Sequence, residues 1–182
     1  MKPYSDKLLA IIDSETTGLL TDEHELIELA VILYDRQQDI VIKEWDVKIA
    51  PRHINTAQDQ ALKINGYADD PTSYKTNIKS ALIKFNKLTD NCILVGQNVA
   101  FDIAFIKKAM AEFNMEPKFD RRSLELMSMS WFHICDQNLN GLSLKDLCSY
   151  FNISNVGAHG ALVDCRRTLG VYKSLAGIYN AK

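Results

Sequence analysis

Asp13 and Glu15 stand two residues apart where a short apolar run, Leu8 to Ile12, meets the polar stretch Ser14-Glu15-Thr16-Thr17-Gly18. Side chains alternate across a strand, so residues two apart share a face and both carboxylates point to one side. Asp102 follows a second apolar run, Cys92 to Val95, and the turn Gly96-Gln97-Asn98; it falls in the first turn of a predicted helix. Asp164 lies beside the apolar stripe of another predicted helix, between Ala161 and Cys165, and His159 precedes it by a little over one turn. Hydrolysing a phosphodiester in line requires an activated water, neutralisation of charge on the phosphorus oxygens and help for the departing alkoxide. Two divalent cations about 3.5–4 Å apart supply all three when carboxylates clamp them. Magnesium and manganese are hard ions that prefer such oxygen donors. A histidine that titrates near neutrality can take the proton of the attacking water. Four acids and one histidine make that set complete.

Each piece has a plainer reading when taken alone. Asp, Ser, Thr and Gly favour turns, an acid in a helix's first turn complements its dipole, and a histidine between Gly157 and Gly160 suits an ordinary loop. A carboxylate beside an apolar stripe is harder to explain, because burial costs free energy unless a cation or hydrogen bonds compensate.

Three strands are predicted first, at Leu8 to Asp13, Glu25 to Asp35 and Ile40 to Ile49. In the third, Trp45, Val47 and Ile49 alternate with Glu44, Asp46 and Lys48, which gives one buried and one wet face. The links are short, so an antiparallel meander is expected. Ile78, Ala81, Leu82 and Phe85 then follow helical spacing. Cys92 to Val95 is a buried strand ending at Gly96. A helix carries Ile103, Ile106, Met110 and Phe113 and stops before Pro117. Ser143 with Asp146 forms a capping box ahead of Leu144, Leu147, Cys148 and Phe151. A final helix runs from near Gly160 to about Asn180 and buries Cys165, Leu169, Tyr172 and Ala176. Strands followed by strand–helix alternation give an α/β mixed sheet flanked by helices, and no Pro-, Gly- or Ser-rich linker divides residues 1–182 into more than one domain.

The net charge of −2 excludes binding to long duplexes by charge alone, since neutralising phosphates supplies most of that affinity. The basic pairs Lys107–Lys108, Arg121–Arg122 and Arg166–Arg167 read as solvated helix surface. Positive charge must then come from bound metals, from gripping only a strand end, or from a tethering partner. The apolar run at the N-terminus is too short for a signal sequence or a membrane span. Cys92, Cys135, Cys148 and Cys165 form no C-x-x-C pair and read as small apolar residues in a reducing compartment, so a cytoplasmic location and no membrane partner are expected.

The motifs resemble the DEDDh branch of the DnaQ-like 3′→5′ exonucleases, which includes the proofreading subunit of bacterial DNA polymerase III and ribonuclease T. Its first motif matches at Asp13-Ser14-Glu15-Thr16-Thr17-Gly18, its second at Asn98 to Asp102, and its third, H-x-A-x-x-D, at His159, Ala161 and Asp164. The motif order agrees, and the similarity runs from about Leu8 to Leu175. The resemblance implies an RNase H-like fold with a five-stranded mixed sheet. It also implies two Mg2+ or Mn2+ ions held by Asp13, Glu15, Asp102 and Asp164, with His159 as general base. Nucleoside 5′-monophosphates would leave one at a time from the 3′ end of single-stranded nucleic acid, with DNA favoured over RNA. By the same likeness Thr16, Thr17, Gly18, Leu19, Asn98 and Phe101 line the substrate site, with Leu19 wedged against the last base. Gln97 stands where many relatives carry histidine. A polymerase or another tethering protein is a candidate partner, although a sequence ending at Lys182 without a further tail disfavours a dedicated proofreading subunit. A catalytically silent binding module and a metal-dependent phosphatase are the rival readings.

Overall fold

The computed structural model describes residues 4–137, 139, 141–156 and 160–180. Its frame is a five-stranded sheet of β1 (Leu9–Thr16), β2 (Leu26–Asp35), β3 (Ile40–Lys48), β4 (Ile93–Gly96) and β5 (Ser123–Glu125), in the order β3-β2-β1-β4-β5. The first three strands form the expected antiparallel meander, while β4 pairs parallel to β1 and β5 parallel to β4. Six α-helices, with three single-turn 3-10 helices, complete the described chain: α1 (Asp59–Ile64), α2 (Ile78–Leu88), α3 (Val99–Ala111), α4 (Leu126–Ile134), α5 (Leu144–Tyr150) and α6 (Ala161–Asn180).

The near-continuous apolar runs of β1 and β2 follow from burial on both faces. Ala10, Ile12, Leu29 and Val31 pack on one side with α2 and α3 residues such as Leu82, Phe85, Phe105 and Ile106. Leu9, Ile11, Ala30 and Ile32 pack on the other with Leu126, Leu147, Cys165 and Leu169. The alternation in β3 appears as Trp45 and Val47 half-buried against the first core, with Ile49 fully buried just beyond the strand.

Several boundaries differ from the sequence expectation. β1 continues through Asp13 to Thr16, because those residues stay paired with Ala30 to Leu26 of β2; a bulge follows between Glu15 and Thr16. Such bulges re-aim side chains at sheet edges. α1, β5 and α4 occupy stretches for which the sequence pattern gave no element. The Ser143–Asp146 capping box is present, Ala176 is only half-buried, and all four cysteines are free, Cys135 exposed and the other three buried. No described helix is long and apolar enough to cross a membrane.

Candidate metal and active site

Asp13 and Glu15 project with Ile11 toward α6, as the period of a strand demands. There Asp164, in the first turn of α6, meets them: one oxygen from each of the three carboxylates lies within 4.8 Å of the others. Asp102 reaches the same edge from the first turn of α3, on the opposite side of the sheet. It is not part of that tight group of three. It is 4% exposed, and its Oδ1 accepts a 2.6 Å hydrogen bond from the Ser14 hydroxyl. His159 lies outside the described residues.

Burial and mutual repulsion oppose ionisation here. Asp13 is pushed well above the usual carboxylate range by burial and then by the charges of Asp102, Glu15 and Asp164. Burial, with Glu28 and Asp164 next, pushes Glu15 up to about 8. Asp102 rises to about 7 through burial, against the opposing Ser14 hydrogen bond. Carboxylates crowded so that they resist their own charge are what a divalent cation requires: hard oxygen donors whose repulsion the ion relieves. The donor set fits such ions.

Four supporting residues escaped the sequence reading. Glu28 sits directly opposite Glu15 in the β1–β2 register and is buried; its Oε1 accepts from the backbone N–H of Ala161, the first residue of α6. Its signal was an acid inside the run Leu26-Ile27-Glu28-Leu29, where any polar residue needs a partner. Glu125, the last residue of β5, accepts from the N–H groups of Asn98, Val99 and Met127, and so holds the start of α3 in place. Ser14 was read only as part of the turn-like stretch and of the first motif, with no role of its own. Arg167, expected as solvated surface beside Arg166, is 6% exposed and pairs with Asp164, whereas exposed Arg166 pairs with Glu44.

A cavity of about 280 Å³ opens beside Glu15 and is walled by Thr16, Gly18, Leu19, Phe101, Ile64 and Asn65, among others. That volume is near the lower end for small-molecule sites, roughly 300 Å³. Leu19 is 72% exposed at its rim. The Phe101 ring centroid lies 4.8 Å from that of Phe105. Thr16 donates its hydroxyl to the Gly18 carbonyl, and Asn65 donates its side-chain amide to the Thr16 carbonyl. Thr17 is fully buried, its hydroxyl accepting from the Glu25 N–H. Asn98 is exposed, with left-handed backbone at φ 56°, and stands at the start of α3 without a side-chain capping bond, outside the cavity wall. Gln97 donates through Nε2 to the Leu142 carbonyl, tying the end of β4 to the segment before α5.

The exonuclease family model (RNase_T) matches residues 10–172. The DNA polymerase III subunit epsilon of Rickettsia prowazekii is 29% identical over 176 residues, covering 92% of this chain and 73% of that protein. The PolC-type DNA polymerase III of Listeria welshimeri is 28% identical over 166 residues, covering 90% of this chain. The chain spans only 11% of that polymerase's length. Among solved structures, exonuclease I superposes with a TM-score of 0.80 at 16% identity, covering 96% of this chain and 43% of the other. Exonuclease I of E. coli in complex with a dT13 oligonucleotide gives 0.78 at 17% identity, over 93% and 40%. These likenesses assign the RNase H-like fold. With the family match over nearly its whole length, the chain belongs to the exonuclease family, among the DnaQ-like 3′→5′ exonucleases.

Proposed function

We propose that this chain hydrolyses phosphodiester bonds from the 3′ end of single-stranded nucleic acid, DNA in preference to RNA, releasing nucleoside 5′-monophosphates. The observation that carries this reading is the convergence of Asp13, Glu15 and Asp164 within 4.8 Å, with buried Asp102 beside them. The four carboxylates would hold two Mg2+ or Mn2+ ions. Bound there, the ions would supply charge neutralisation at the scissile phosphate and lower the cost of activating water.

The remaining work falls to the chain's own groups. The cavity walled by Leu19 and Phe101 gives the terminal base apolar surface to lie against. His159, which follows Asn155 and Val156 and precedes α6, takes the proton of the attacking water. The relatives named as DNA polymerase III components support DNA and a replicative polymerase as partner. They also fit a cytoplasmic setting.

The test is a gel assay with 5′-labelled single-stranded DNA and RNA of one sequence, with Mg2+ or Mn2+, comparing wild type with Asp13→Ala and His159→Ala. A ladder shortening from the 3′ end, abolished by chelator and by either substitution, is the expected result. Intact strands under both metals would sink the enzyme reading in favour of a binding module. Faster loss of the RNA strand would reverse the substrate order.

A further inference from the structure

Among the described residues, one basic side chain forms an ion pair with the acidic cluster: Arg167, which lies three residues past Asp164 on α6 and so on the same side of the helix. Its Nη1 donates to Oδ1 of Asp164, and its Nη2 donates to Oδ1 of Asn155. Asn155 belongs to the segment that leaves α5 and leads toward residue 159. One guanidinium therefore bridges a candidate metal ligand and the segment bearing the candidate base.

The bridge is costly. Nε of Arg167 is buried with no nitrogen or oxygen partner, the guanidinium lies against the Cys148 thiol, and the residue as a whole is 6% exposed. Buried ion pairs commonly add little net stability over apolar packing, so stability alone is a poor reason for this one. A planar guanidinium presents its donors as a rigid fork and holds two acceptors at a set separation, which a lysine ammonium does not.

We propose that Arg167 is a positioning residue of the metal site, fixing the Asp164 carboxylate toward Asp13 and Glu15 and fastening the Asn155 segment to it. This rests on the metal-dependent reading above. Groups that orient metal ligands in this way are worth about 10–100-fold in metal affinity or activity.

The test has two readouts on the full chain: Mn2+ binding without substrate, followed by the EPR signal of free Mn2+, and turnover of single-stranded DNA. Arg167→Gln should weaken Mn2+ binding about tenfold or more. Arg167→Lys should recover most of that affinity but not turnover, because one ammonium cannot span both acceptors. Asn155→Ala, which leaves the Asp164 contact intact, should keep wild-type Mn2+ affinity and lose turnover. Unchanged or tighter Mn2+ binding by Arg167→Gln would overturn the inference, as the guanidinium would then be a bystander or a competitor of the ion. Should Arg167→Gln fail to fold, full turnover by Asn155→Ala overturns it instead. A wild type that binds no Mn2+ refutes the metal reading and this inference together; wild-type binding with unaffected variants refutes this inference alone.

Discussion

The Ser14 hydroxyl donates a 2.6 Å hydrogen bond to Oδ1 of Asp102, joining residues 88 apart in the chain. Because β1 alternates, the same three residues send two carboxylates toward α6 and one donor toward α3. Ser14 thus couples the position of Asp102 to that of its two neighbours across the thickness of the sheet.

Removing that donor has a predictable sign. The Ser14 hydrogen bond favours ionised Asp102 against the burial that pushes it up. Ser14→Ala should therefore move the acidic limb of the kcat/KM–pH profile to higher pH and cost about tenfold in activity at neutrality. A profile at saturating Mg2+ that superimposes on the wild type would show that Ser14 has no part in Asp102's ionisation.

Glu125 governs α3 more directly. Its carboxylate accepts from three backbone N–H groups, two of them at the start of the helix that carries Asp102. Glu125→Ala should cost about 2 kcal/mol through the lost cap and helix-dipole contact. Glu125→Gln, which keeps an acceptor, should cost less. Urea midpoints compare the two, and equal losses would contradict a capping role.

Gly18 is fixed by contact rather than by backbone angle. A Cβ there would lie 2.4 Å from the ring of His24. That ring is 2% exposed and held through Nδ1 by the Leu20 backbone, so it cannot swing away. Gly18→Ala should displace the loop bearing Leu19, destabilise by about 1–3 kcal/mol and raise KM more than it lowers kcat. Steady-state kinetics on short oligonucleotides would detect this, and an unchanged KM would separate Leu19 from substrate binding.

The sequence revealed residues whose local pattern is broken by their chemistry. Asp13 and Glu15 interrupt a strand at spacing two, and Asp164 interrupts an apolar stripe, so each announced itself. Their partners were hidden by similarity to their surroundings. Glu125 ends a strand of only three residues, too short for any periodicity to show. Arg167 sits beside Arg166 as though both were surface, and only the third dimension sends one to Glu44 and the other to Asp164. Glu28 was masked by the apolar run around it, although a buried acid there always required an account.

The acidic cluster should also make the metal-free protein unusually sensitive to alkali. In the folded chain Glu15 is pushed up to about 8 and Asp102 to about 7, from ordinary values of 4.5 and 3.8, and Asp13 is raised as well. Below the unfolded values both states are protonated and nothing is lost. Between about pH 4.5 and 8 the folded protein keeps protons that the unfolded chain releases, so each rise in pH favours unfolding. Above about 8 the loss from Glu15 and Asp102 is nearly complete. Divalent cations held by the ionised cluster, as proposed above, would stabilise the folded state by mass action, increasingly so as those protons leave. The Tm of chelator-treated protein should therefore fall between about pH 5 and 8.5, and millimolar Mg2+ or Mn2+ should raise it far more at the upper end. Asp13→Asn with Glu15→Gln should reduce the metal-free slope to the part that Asp102 contributes and abolish most of the metal response. A flat wild-type profile, or a slope undiminished in the double variant, would place the titrating groups elsewhere.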